Sequence, residues 1–394
     1  MNPTRLILLA GTLLIAGCQC NNGPATDDTG PPDAPPERDR GQWLSMGTLA
    51  DGTVAASYFD RGEDGLGVAF GKITGDGVTW TYEEVEGFQD ASGLDSGNLG
   101  THTSLVVAPG DIVWVVYYDI SNGSLRYARR HNSAIAGSME LTSVWTTGVA
   151  DVGGGARPDA GQWSSMALDP ANRPVVAHYD VAEQELRVTR WDGTAWGNQV
   201  KIQGEEYTLG DTGGPSKPAD VGMFADLYIT TDGTEYIAYY DAAWRRLLLA
   251  VGGVDGFEQY VVDESANVGQ WPSLLVEDSG TVHIAYHDVD NQDLRYATGT
   301  PGSFTISTID DGELTGADTE IFQNGDLLSV LYFDGQNNDI KQATLVGGAW
   351  AVATLAGDDG TGLGYHNEVV LSKGTYYAGC YDYSNRSIWL GAIQ

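Results

Sequence analysis

An aspartate that follows an aromatic pair or its equivalent recurs seven times along this chain, at Asp60, Asp119, Asp180, Asp241, Asp288, Asp334 and Asp382. A pattern repeated that often dictates an architecture in which one supersecondary unit stacks on copies of itself. Six residues after each Asp stands Leu or Ile, at Leu66, Leu125, Leu186, Leu247, Leu294, Ile340 and Ile388. Fifteen before it stand Ser45, Ser104, Ser165, Asp226, Ser273, Thr319 and Asn367, and seventeen before it Trp43, His102, Trp163, Phe224, Trp271, Ala317 and Tyr365. Counted this way, the register runs without a gap through every repeat.

Within one repeat, residues 271–310, four short strands are legible. Ser273 to Val276 is an apolar run, Val282 to Tyr286 alternates, Leu294 to Thr298 follows the turn DVDNQD, and Phe304 to Asp310 follows a Gly-containing turn. A lone sheet of this size cannot bury both faces, and a ring of such sheets can. The expectation is therefore an all-β, seven-bladed β-propeller of four-stranded antiparallel blades. The spacings between successive repeated Asp residues are 59, 61, 61, 47, 46 and 48, so the first three repeats carry insertions. The chain stops at Gln394, soon after the third strand of the last repeat, and nothing strand-like precedes Gly41. One blade should thus have three strands, for 27 in all, with the missing strand outermost, no strand exchanged between the termini, and apolar packing closing the ring.

Composition agrees with strands and turns. The chain has 53 Gly, 11 Trp, 20 Tyr and 8 Phe with 42% hydrophobic residues, which excludes wholesale disorder and disfavours a helical bundle. Only 20 Lys and Arg face 54 Asp and Glu, a formal charge of −34. Nucleic acid is excluded as a partner on that ground, because its binding draws on cationic contacts to phosphate.

The N-terminus is a processing signal. Arg5 precedes the apolar stretch Leu6 to Ile15, too short to span a bilayer, and Ile15-Ala16-Gly17-Cys18 follows. This resembles the lipobox of bacterial lipoproteins. The resemblance implies a signal peptide over 1–17, acylation (palmitate among the chains) of Cys18, stable anchoring in the membrane through that lipid, and, with Gln19 next, an outer-membrane lipoprotein facing the periplasm or the surface. Residues 18–40 are Pro-rich and acidic, a disordered tether ahead of a propeller domain at 41–394. With Cys20 in the tether and Cys380 in a strand, one disulfide is conceivable, and the fold does not depend on it.

The turns TGDGVTW (74–80) and WDGTAW (191–196) look like shortened Asp boxes, and SLLVEDSGTVHIAYHDVDNQDLRYA (273–297) is similar to repeats of uncharacterised secreted bacterial propellers of the sialidase-like superfamily. Sialidase chemistry does not follow: that family holds its substrate with an arginine triad, and no arginine lies between Arg61 and Arg126.

In a propeller the turns between second and third strands and the blade-to-blade connections open on one face. That face should gather Trp43, His102, Trp163, Phe224, Trp271, Tyr365 and His366, with Asp60, Asp119, Asp180, Asp241, Asp288, Asp334 and Asp382 as a second ring. Aromatic faces beside carboxylates suit sugars. Equally, an Asp at a hairpin turn caps backbone N–H groups, and one aromatic per blade packs between blades. The insertions 90–102, 150–161 and 204–222 fall on the same face, and acids without bases collect between Lys72 and Arg126. Calcium is a candidate ligand there, although DVDNQD ends its twelve-residue window on Gly299 instead of Glu. His102, His178, His287 and His366 occupy aromatic positions of the repeat; His102 and His366 should flank blade one, as base, metal ligand or packed ring. No nucleophile motif, zinc spacing or phosphate loop is present. The expectation is a monomeric binding module for glycan or protein, requiring no cofactor. The alternative is a carbohydrate-active lyase or hydrolase working at the same face.

Overall fold

The computed structural model describes residues 38–75, 77–88, 97–134, 141–204, 207–208, 216–217, 219–357 and 360–393. Cys18, Cys20, the leader, the tether up to Glu37, Asp76 and most of the insertions at 90–102 and 204–222 lie outside them.

The described residues form a seven-bladed propeller without helices. Blades span Arg40–Glu86, Leu99–Asp151, Ala160–Ile202, Val221–Asp263, Val268–Asp310 and Thr315–Ala356 with four antiparallel strands each, and Tyr365–Ala392 with three, giving 27. A two-residue ladder, Tyr207–Thr208 with Ser216–Lys217, lies in the connection between blades three and four. Each first strand contacts the first strand of the next blade, and that of blade seven contacts that of blade one. The first strands therefore line a central channel and the chain runs outward. Second strands such as Val54–Asp60 and Val282–Asp288 are buried along their whole length, and their Val, Ile and Tyr content suits strands covered on both faces. The fourth strand Gly77–Glu86 is half exposed, as an outer edge must be.

Seven apolar clusters hold the ring, one at each seam between blades. At the closing seam Leu44, Met46 and Tyr58 of blade one meet Val370 and Ile388 of blade seven, with no strand exchanged. Polar contacts reinforce that seam: Ser372 Oγ donates to Gly52 O (2.7 Å), Tyr381 Oη to Asp39 Oδ1 (2.5 Å) and Arg40 N to Arg386 O (3.1 Å). Arg38, Asp39 and Arg40, assigned to the tether from sequence, thus belong to the folded body. Cys380 is fully buried and unpaired among the described residues.

A hydrogen bond repeats from seam to seam. Ser45 Oγ accepts Leu105 N (3.0 Å), Ser104 Oγ accepts Met166 N (3.0 Å), Ser165 Oγ accepts Leu227 N (3.0 Å), Asp226 Oδ2 accepts Leu274 N (2.7 Å) and Ser273 Oγ accepts Ile321 N (2.9 Å). Glu368 Oε2 closes the series on Met46 N (3.3 Å).

This series corrects the gap-free register. Ser273 lies opposite Ala285, whereas in blades six and seven Glu320 lies opposite Leu331 and Glu368 opposite Gly379. The equivalents of Ser45 are therefore Glu320 and Glu368, not Thr319 and Asn367. The missing residue is in the first hairpin turn, which holds two residues in blade six (Gly325-Asp326) and in blade seven (Lys373-Gly374) and three in blade two (Pro109-Gly110-Asp111). A turn absorbs a one-residue gap, whereas a strand would flip every side chain to the other face.

Removing a serine that accepts a neighbouring blade's N–H leaves a buried donor unpaired, at a cost of about 1–3 kcal/mol. Ser45→Ala and Ser273→Ala are expected to lower the urea midpoint accordingly, while Ser307→Ala, on an exposed outer strand, changes it within about 0.5 kcal/mol.

Candidate functional site

The channel mouth is built from one residue per blade held in the left-handed backbone region: Trp43, His102, Trp163, Phe224, Trp271, Asp318 and His366, with φ between 46° and 54°. Two residues upstream of each stands a glycine, from Gly41 and Gly100 to Gly316 and Gly364, also at positive φ. A Cβ on Gly100, Gly161, Gly222 or Gly269 would sit 2.7–2.9 Å from the backbone of Leu66, Leu125, Leu186 or Leu247 in the preceding blade, so only glycine allows that approach. Bulky residues at positive φ are outliers that their surroundings must enforce. Here the next blade does so. Thr103 Oγ1 donates to Trp43 O, Ser164 Oγ to His102 O and Thr319 Oγ1 to Trp271 O, each at 2.5 Å, and Asn367 Nδ2 donates to Asp318 O (2.8 Å).

The side chains form a circle, in contact one to the next from Asp318 through His366 and Trp43 to Trp271. Ring centroids lie 3.8 Å apart for Trp43 and His102, 5.1 Å for His102 and Trp163, 5.2 Å for Trp163 and Phe224, 4.8 Å for Phe224 and Trp271, and 5.0 Å for Trp43 and His366. Asp318 holds the remaining place, its Oδ1 3.9 Å from His366 Nδ1. Tyr365 is not part of it: its ring packs on Phe333 (4.5 Å) at the outer rim, and His366 holds the equivalent place. Sequence reasoning missed Asp318 because counting back from Asp334 lands on Ala317. The tripeptide Gly-x-aromatic, as in Gly41-Gln42-Trp43 and Gly364-Tyr365-His366, carries the correct register in the sequence itself.

One step deeper the lumen carries Ser45, Ser104, Ser165 and Ser273 with three carboxylates, Asp226, Glu320 and Glu368. Burial raises the Asp226 pKa. Burial, then the neighbouring Glu368 and Asp226, push Glu320 well above the usual carboxylate range, and burial takes Glu368 to about 8. In the mouth, burial and then His366 lower His102 to about 3, so its imidazole is neutral, and its Nδ1 has no hydrogen-bond partner. Burial also lowers His366 against the pull of Asp318. The other two repeat histidines, His178 and His287, are buried in second strands.

The seven repeated aspartates sit apart from the circle. All are buried, and each caps its turn or pairs with a cation. Asn122 N, Asn291 N, Asn337 N and Asn385 N donate to Asp119, Asp288, Asp334 and Asp382, while Gly62 N, Glu183 N and Trp244 N donate to Asp60, Asp180 and Asp241. Arg38 and Arg40 flank Asp60, Arg187 Asp180, Arg246 Asp241, Arg295 Asp288 and Lys341 Asp334. Of DVDNQD, Asp290 pairs with Arg245 (2.8 Å), and among the described residues no group of three or more His, Cys, Asp or Glu is placed to hold a metal ion. Asp192 caps its own turn, accepting Thr194 N (2.7 Å) and Ala195 N (2.9 Å). The described insertion at 150–161 lies at the mouth end, with Gly154 N on Asp180 Oδ2 (2.7 Å) and Ala160 N on Gly123 O (3.2 Å).

No family model matches the chain, and no curated protein matches it. Among solved structures it is similar to the polysaccharide lyase Uly1 (TM-score 0.52, 11% identity, 89% of each chain covered) and to the hydrazine synthase of Kuenenia stuttgartiensis (TM-score 0.53, 12% identity, 94% of this chain and 99% of that one). At such identities the likeness is one of fold.

The lumen carboxylates make stability depend on pH. Their folded pKa values lie above the unfolded value, 4.5 for Glu, so the unfolded chain releases these protons first as pH rises. Stability is then greatest below about pH 4.5 for these groups and is lost towards pH 8. In a pH series of urea midpoints, Glu320→Gln and Glu368→Gln are each expected to flatten the decline between these limits and to exceed the wild type at pH 8.

Proposed function

We propose that the protein is a binding module that receives a neutral glycan at the channel mouth. The observation that carries this reading is the circle of Trp43, His102, Trp163, Phe224, Trp271 and His366 with one carboxylate, Asp318. All seven are only partly buried. Apolar sugar faces stack on such rings, while Asp318 accepts hydrogen bonds from sugar hydroxyls. A chain of net charge −34 opposes an anionic sugar. The fold-level likeness to a polysaccharide lyase supports a carbohydrate as the ligand class. The lipobox-like Ile15-Ala16-Gly17-Cys18 supports attachment at the bacterial outer membrane through lipid on Cys18. Calorimetry with a panel of neutral oligosaccharides is expected to find a binder whose affinity falls at least tenfold in Trp43→Ala and in Trp271→Ala. A panel that gives no binding to the wild type, with and without calcium, overturns this reading.

The second reading is a lyase or hydrolase at the same place, and His102 favours it. Burial keeps its imidazole neutral, the form a base requires, and its Nδ1 has no hydrogen-bond partner. Turnover of a polysaccharide that His102→Ala abolishes and His366→Ala only weakens is the expected result on this reading. Equal turnover in all three proteins removes His102 from the chemistry.

A further inference from the structure

Around the outer part of the seams the same arrangement recurs. The last residue of one blade's fourth strand is a carboxylate, the next blade supplies a cation from its third strand, and that cation lies between this carboxylate and its own repeated Asp. Arg126 lies between Glu86 and Asp119, Arg187 between Asp151 and Asp180, Arg295 between Asp263 and Asp288, and Lys341 between Asp310 and Asp334. A second-strand tyrosine adds its hydroxyl in three of them: Tyr117 donates to Glu86, Tyr286 to Asp263 and Tyr332 to Asp310.

Between blades six and seven three of these four parts have changed and one has stayed. The register puts Ala356, opposite Ile340, where Asp310 stands opposite Leu294. Trp389, opposite Cys380, holds the place of Arg295, opposite Tyr286, so tyrosine has become Cys380 and the cation has become Trp389. Asp382 remains. Its Oδ1 accepts Asn385 N (2.9 Å) and its Oδ2 accepts Asn385 Nδ2 (2.7 Å), as Asn337 serves Asp334. In blade six Lys341 Nζ also reaches that Oδ2 at 2.8 Å, whereas among the described residues no cation lies within ion-pair distance of Asp382. A half-open cavity of about 420 Å³ lies here, with Ala356, Leu363, Asp382, Asn385 and Trp389 among the residues of its walls.

We propose that this cavity is a binding site for an external guanidinium or primary ammonium on an aliphatic stem, the group that the protein's own Arg or Lys supplies at the equivalent place in four other seams. Asp382 Oδ2 takes the charge, the indole of Trp389 offers an aromatic face to it, and Leu363 and Ala356 cover the stem. The net charge of −34 draws such a ligand in. The chemistry is shared by a free amine and by a basic side chain of a partner protein.

Calorimetry with agmatine, with argininamide and with its uncharged isostere citrullinamide tests the assignment. The first two are expected to bind saturably and citrullinamide at least tenfold more weakly. Ala356→Leu, which fills the cavity, and Asp382→Asn, which removes the charge, are each expected to weaken agmatine at least tenfold; thermal unfolding checks that both fold, and Ala356→Leu decides if the Asp382 variant does not. Trp43→Ala leaves agmatine binding unchanged, which separates this site from the channel mouth. A Gly-Gly-Arg-Gly-Gly peptide that binds as well as agmatine assigns the cavity to a protein partner, and a peptide that fails assigns it to a free cation. Equal binding of citrullinamide, absence of saturable binding by any of these cations, or agmatine binding undiminished in Ala356→Leu overturns the proposal.

Discussion

The ring depends on one hydrogen bond at each of six seams, in which a polar side chain in the middle of a first strand accepts the backbone N–H of the next blade. Apolar contacts between sheets are non-directional and tolerate sliding, so they hold blades together without fixing their angle. A bond to a backbone amide fixes it. Once Ser45, Ser104, Ser165, Asp226, Ser273 and Glu368 are seated in this way, the residue two places upstream in each first strand is forced to the channel mouth in a left-handed conformation. The aromatic circle is a by-product of seam geometry that the chemistry of its side chains makes available for binding.

The same requirement explains why acids occupy the lumen. Serine, aspartate and glutamate all accept an N–H, and Asp226 in blade four and Glu368 in blade seven do so where the other blades use serine, with Glu320 at the equivalent register of blade six. Three carboxylates then face one another across a narrow space, and burial together with their mutual repulsion favours shared protons over three charges. The exterior follows the opposite logic. There each repeated aspartate caps a turn and most meet an Arg or Lys, so a large share of the 20 basic residues is engaged in seams and turns.

Blade number, strand number and the incomplete last blade were legible in the sequence because the repeated Asp, the Leu six residues later and the aromatic pair all lie on strands two and three, where spacing cannot vary without flipping faces. Positions upstream of the first hairpin turn were legible only as far as that turn kept its length. This is why Trp43 to Trp271 were placed correctly while Tyr365 displaced His366 in the aromatic series and Asp318 was lost behind Ala317. Glu320 and Glu368 escaped for the same reason. Counting from the glycine that the neighbouring blade requires, instead of from the distant Asp, would have recovered all of them. The pairing of Asp with Arg or Lys across a seam had no such signal, since it joins residues 30 to 40 apart whose proximity exists only in the closed ring.

Because no strand is exchanged between the ends, the N-terminal segment joins the body directly at the seam that must stay shut. Arg38 grips Asp60 and Glu84, and Asp39 receives the hydroxyl of Tyr381 from blade seven. Any tension drawn along the preceding chain therefore loads these bonds before it reaches a sheet. A tug on the N-terminus meets these contacts first, and their failure would load the innermost strand of blade one.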